Sequence, residues 1–164
     1  MLIASSKEFR IQQDKLLKVL RVEWVGGQNM RDFRGAFNTL LQLTEKLLVS
    51  RIVLDINTLP DVSVYDQLWL STHFMPQLVR LPLAQVVVVL SNERVYNHQV
   101  MESLLTDNRL FMRVDIQFFT QAESAMQWIT NNSPRLALLL AEWQQASSEN
   151  PSTVAEPRAR YRTS

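Results

Sequence analysis

Between Asp55 and Asp66 the chain gathers the side chains most able to do chemistry: Asp55, Asn57, Asp61, Ser63, Tyr65 and Asp66. Carboxylates near a strand end suit a hard cation such as magnesium or calcium, which takes oxygen ligands. The serine hydroxyl among them is a candidate phosphoacceptor. The same residues also have plainer uses. Ser63 with Asp66 three positions on is an N-cap pattern, and Leu59-Pro60-Asp61 is turn chemistry. Nothing else in the sequence completes a catalytic or metal centre. There is no cysteine, and His73 and His98 stand 25 positions apart without an HExxH-type pairing. Gly26, Gly27 and Gly35 are the only glycines, too few and misplaced for a phosphate-binding loop, a dinucleotide fingerprint or a nucleophile elbow. The residues point to a binding rim, with no catalytic set, no metal and no cofactor; an enzyme with an unrecognised centre is the reading against it.

The rim needs elements to hold it. Ile52 to Ile56 is a β-branched run of the kind a strand buried on both faces requires, and polarity returns at Asp55 and Asn57. A polar loop follows, then a helix capped by Ser63 with Tyr65, Leu68, Trp69 and Thr72 on one face. Trp69 is expected in the core. In open α/β sheets, ligands and partners meet the loops at the strands' carboxyl ends, which is where this loop falls. Pro76 should end or kink the helix, because it has no amide hydrogen and clashes with the preceding turn.

Around this unit the periods are legible. Glu8 to Asp14 and Leu16 to Val25 predict an antiparallel hairpin; in the second strand Leu17, Val19, Arg21 and Glu23 fall on one side. Gly26-Gly27 ends it, marking backbone that needs positive φ or close approach. Met30, Phe33, Phe37, Leu40, Leu41, Thr44, Leu47 and Leu48 recur at helical spacing, with Asn29 as the N-cap and Gly35 inside the helix implying tight packing against a neighbour. Leu83 to Leu90 contains four consecutive valines and no polar face, so it belongs at the centre of the sheet. Ser91-Asn92 should cap a third long helix that ends at Asp107-Asn108, and Arg113 to Phe119 is a further strand. Thr120-Gln121-Ala122-Glu123 reads as a capping box for a helix with Ala122, Ala125, Met126 and Ile129 inward; Trp128 lies off that stripe and either covers the sheet edge or faces a partner. A last helix, Arg135 to Ser147, carries Leu136, Leu139, Leu140 and Trp143 and packs on the domain or on a second copy.

The predicted architecture is α/β: a mixed, centrally parallel sheet of about five strands with four to five helices, in the order ββαβαβαβα plus a C-terminal helix. With 164 residues, 46% of them hydrophobic, one domain over 1–148 is expected, followed by a disordered serine-, proline- and arginine-containing tail over 149–164. Lysine and arginine number 17 against 16 acidic residues, a net charge of +1 that gives no electrostatic case for nucleic acid or a membrane surface. No apolar run is long enough to span a bilayer, so a soluble, cytoplasmic chain is expected.

The order resembles the STAS fold of anti-sigma-factor antagonists, and more closely that of uncharacterised bacterial STAS-like proteins, over residues 8 to about 130. Leu54-Asp55-Ile56-Asn57, Asp66-Gln67-Leu68-Trp69-Leu70 and Phe118-Phe119-Thr120-Gln121-Ala122-Glu123, followed by Trp128-Ile129, carry the resemblance. It implies a non-enzymatic, regulatory role through protein contacts, with small ligands or lipids in related groups. In switching antagonists an aspartate-serine-serine-glycine-like segment heads the second helix and is phosphorylated. Here it reads Asp61-Val62-Ser63-Val64-Tyr65-Asp66, without the glycine and with Tyr65 near the phosphoacceptor position, leaving Ser63 as the candidate. The leading expectation is an interaction module, homo-oligomeric through its leucine-rich last helix. A carrier of a small molecule or lipid, with an apolar pocket between helices and sheet, is the alternative.

Overall fold

The computed structural model describes residues 1–4 and 6–149; the expected tail, from residue 150 on, lies outside them. One mixed sheet organises the chain, its strands side by side in chain order: β1 (Leu2–Ile3), β2 (Phe9–Asp14), β3 (Val19–Trp24), β4 (Arg51–Asp55), β5 (Gln85–Val89) and β6 (Asp115–Phe119). β1, β2 and β3 pair antiparallel, and β3 through β6 are parallel. The α/β class and the central parallel strands are as expected. β1 is the addition, two residues that are too few to show a period in sequence.

The valine run explains the layering. Successive strand side chains point to opposite faces, so a run without polar gaps fits only a strand covered on both. Val86 and Val88 enter one core with α1 (Phe33–Lys46), α3 (Met75–Leu78) and α4 (Val95–Asp107), while Val87 and Val89 enter a second core with α5 (Ala122–Ile129) and α6 (Leu136–Glu149). Strands laid down in sequence, with crossovers of one hand, place every crossover helix on the same face. The two helices after β6 are left to cover the other.

Local chemistry sets the joints. At the hairpin, Asp14 Oδ1 accepts the Leu17 amide at 3.0 Å and Lys18 takes a positive φ of 55°. Gly27 has φ 66°, and a Cβ on Gly26 would lie 2.9 Å from the Trp24 indole, so this pair combines both reasons for glycine. α2 (Val64–Trp69) runs through a single wide π turn, Leu70–Phe74, into α3. Pro76 follows immediately. Its missing amide and its ring would break an ordinary ladder there, and the wide turn, in which Met75 N–H reaches Leu70 O, gives the ring room.

Several sequence expectations are corrected. α1 begins at Phe33 after Asp32, and Asn29 instead accepts the Arg31 amide. Gly35 is exposed, and a Cβ there would meet nothing within 4 Å, so no neighbour requires it. α4 starts after Arg94, not at Ser91-Asn92, because the intervening turn closes through Arg94 N–H on Ser91 O. At the head of α5, Gln121 is the N-cap and no side chain caps it, so Thr120-Glu123 is not a capping box. Trp69 is only half buried, stacked on His73 at 6.3 Å beside the core. α6 folds back on its own sheet, burying Leu139 and Trp143 and leaving Leu138 exposed.

Candidate functional site

The loop after β4 is held by side chains from neighbouring segments. Asn57 Oδ1 accepts the Ser91 amide at 2.8 Å, tying the loop beyond β4 to the loop beyond β5. Thr58 Oγ donates to Trp24 O at 2.8 Å. Asn97, 1% exposed at the start of α4, is the central fastener. Its Oδ1 accepts the Val62 amide, and its Nδ2 donates to Leu59 O and Pro60 O, all at 3.0 Å. A buried amide satisfied at both ends fixes a loop more firmly than exposed turn residues can. Arg94 reaches Leu59 O as well, and lies 3.8 Å from the exposed Asp61 carboxylate.

This mount carries α2. Ser63 is its N-cap, accepting the Asp66 amide at 3.1 Å, as its position in sequence predicted. Asp66 sits in the first turn, favourable against the helix dipole, and pairs with Arg34 at 2.9 Å. Gln67 Nε2 donates to Val62 O and to the Tyr96 hydroxyl, both at 2.9 Å, and that hydroxyl donates to Val62 O. Yet α2 buries none of its six residues. Val64, Tyr65 and Leu68 are 73%, 79% and 61% exposed, and Val95 and Tyr96 of α4 are exposed beside the same loop.

Of the residues singled out in sequence, Asn57, Asp61, Ser63, Tyr65 and Asp66 belong to this surface. Asp55 does not. Alternation along β4 turns its side chain to the opposite face of the sheet, where it is buried and, among the described residues, accepts only the Asn57 amide, at 3.0 Å. Asp61 and Asp66 each have an arginine partner, and among the described residues no three acidic or histidine side chains converge on a metal position.

Around Asp55 the opposite face holds a charged cluster that motif reading missed. Arg10 and Arg21, from β2 and β3, lie over the Trp143 indole of α6 at 4.0 and 3.9 Å from its centroid. Arg10 pairs with Glu23 at 2.8 Å and also reaches Ser147. Arg21 Nε and Nη1 are buried without a hydrogen-bond partner among the described residues. Burial lowers the Arg21 pKa to about 10 against the attraction of Glu23 and Asp55. Burial likewise raises the Asp55 carboxyl from 3.8 to about 6, opposed by the Asn57 amide. The signal was present in β3, where Arg21 and Glu23 share a face with Val19; what was missing was that α6 covers that face. The cluster balances two guanidinium groups against two carboxylates and anchors α6.

On the other face, Phe37, Leu54, Phe74, Val88 and Leu104 are among the side chains enclosing an apolar cavity of about 40 Å³. That is far below the ~300–1,000 Å³ of small-molecule sites. Among the described residues no helix is long and apolar enough to cross a membrane.

No protein-family model matches the chain, and neither a curated protein nor a solved structure matches it significantly.

Proposed function

We propose that the protein is a non-catalytic, STAS-like interaction module that presents α2 and the loop from Asn57 to Asp66 to a protein partner. The observation that carries this is α2 itself, with Val64, Tyr65 and Leu68 in solvent on a helix none of whose residues is fully buried. Contiguous exposed apolar side chains on a rigid mount mark interaction surfaces, and tyrosine is a favoured anchor. Ser63 adds a means of regulation. A phosphate there would sit at the positive end of α2, which the helix tolerates, while placing charge beside Tyr65 where a partner must dock.

The test is affinity capture run in parallel with the wild-type chain and the Tyr65→Ala, Leu68→Ala double variant. A protein retained by the first and lost by the second, at equal melting temperature, supports the proposal. Equal retention by both, or none by either, contradicts it. A carrier role has one observation behind it, the apolar cavity walled by the π turn, and requires that cavity to grow roughly tenfold on loading to reach the usual size of a ligand site.

A further inference from the structure

α5 shows a second stripe. Ser124, Gln127, Trp128 and Asn131 recur at spacings of three and four, displaced from the buried Ala125, Met126 and Ile129. This stripe faces an open cleft of about 590 Å³ that runs over β6 and the amino ends of β4 and β5, a volume within the ~300–1,000 Å³ of small-molecule sites. It lies away from the α2 surface, which sits beyond the strands' carboxyl ends.

The lining has a definite chemical sense. Arg51 is its only charged side chain among the described residues. Nη1 of Arg51 donates to Ile129 O at 3.2 Å, which fixes the guanidinium at the end of α5; its other N–H groups have no partner among the described residues. The nearest acid in register, Asp115 opposite Gln85, is engaged by Gln117 Nε2 at 3.0 Å and does not line the cleft. Four carboxamides do: Gln85, Gln127, Asn131 and Asn132, none with a side-chain hydrogen bond among the described residues. Asn131 and Asn132 have φ of 54° and 51°, and the Asn132 amide closes on Gln127 O at 3.0 Å, so they project from a defined turn. The wall is aromatic, Trp128 and Phe119 with ring centroids 6.1 Å apart, both half buried.

A held guanidinium with spare donors recognises a carboxylate in its own plane. Neutral amides accept or donate to polar substituents, and an indole face stacks on a ring. One cation suits a monoanion better than a phosphate dianion, and the absence of a lining acid disfavours a cationic ligand. We propose that this cleft binds a small planar monocarboxylate, its carboxylate on Arg51 and its ring against Trp128.

The probes are benzoate and its neutral isostere benzamide, followed by ¹H–¹⁵N NMR of the Trp128 indole and the Gln127 and Asn131 side-chain amides. Benzoate should shift these resonances saturably, with the Trp24 indole as an unmoved control. Benzamide, and benzoate with Arg51→Gln, should bind at least about tenfold more weakly, the loss expected for one charge-assisted pair. Arg51→Gln also removes the Ile129 contact, so Gln127→Ala, at an exposed position, serves as the second variant and should weaken benzoate without lowering the melting temperature. Equal shifts with benzoate and benzamide, no saturation, or indifference to both substitutions would overturn the assignment.

Discussion

Asp55 shows how one position in a strand decides a residue's role. Its carboxylate is buried on the face it shares with Arg21 and Glu23, accepting the Asn57 amide, and burial raises it from 3.8 to about 6. The native state therefore holds the proton more tightly than the unfolded chain. Stability from this group is fully present below about pH 4 and is lost as pH rises to about 6, after which an ionised, buried carboxylate persists at a cost of about 3 kcal/mol. Asp55→Asn keeps the acceptor for Asn57 and removes the charge. It should be more stable than wild type at pH 7.5 by up to that amount, converging near pH 4, in urea melts across the range; a less stable variant at pH 7.5 would show the carboxylate to be engaged. Gly35→Ala should stabilise by about 1 kcal/mol, because the site is open, exposed and inside a helix, and a loss on chemical denaturation would mean that the glycine has a packing role after all. Asn97→Ala strands three backbone groups of the loop and should cost about 2–4 kcal/mol, whereas Ser63→Ala loses only a cap at about 1 kcal/mol. Comparable losses from the two, by urea titration, would refute that ranking. Ser63 could be read from its spacing to Asp66. Asn97 could not, since its partners are 35 to 38 positions away.

At the scale of elements, α2 and α6 are opposites. α6 is bound to the sheet by Trp143 between two guanidinium groups, by Arg135 Nε on Asp14 Oδ2 at 2.6 Å and by Gln12 Nε2 on Leu139 O at 2.9 Å. Trp143→Ala should therefore cost about 3–5 kcal/mol in urea unfolding, as truncation of a buried tryptophan does. Tyr65→Ala and Leu68→Ala should each stay within about 0.5 kcal/mol of wild type, because neither side chain leaves a cavity. If they destabilise the fold by more, α2 packs against something and is not a free surface. The leucine stripe of α6 reads the same in sequence whether it meets its own sheet or another copy's, so the charges of β2 and β3 beneath it were the missing cue. The α2 pattern misled in the other direction: Leu68 and Trp69 look like core residues on a helical wheel, yet Leu68 is exposed and Trp69 only packs half buried against the edge of the core.

For the whole molecule, the α/β class and the double covering of β5 follow from hydrophobic periods, and these were legible from the valine run and the hairpin alternation, whereas β5 was expected at the centre of the sheet and is its fifth strand of six. Long-range polar fasteners and the division of labour between faces were not, because they depend on which helix returns over which strands. The result is a domain with an apolar helix mounted at one end of the sheet and a polar cleft near the other. A photo-crosslinking residue in place of Tyr65, compared with the same residue in place of the exposed Gln42 on α1, measures the central claim directly in cells that make the protein. The account predicts a discrete protein adduct at position 65, absent at position 42 and competed by excess unmodified chain. No adduct at 65, or the same adducts at both positions, would contradict it.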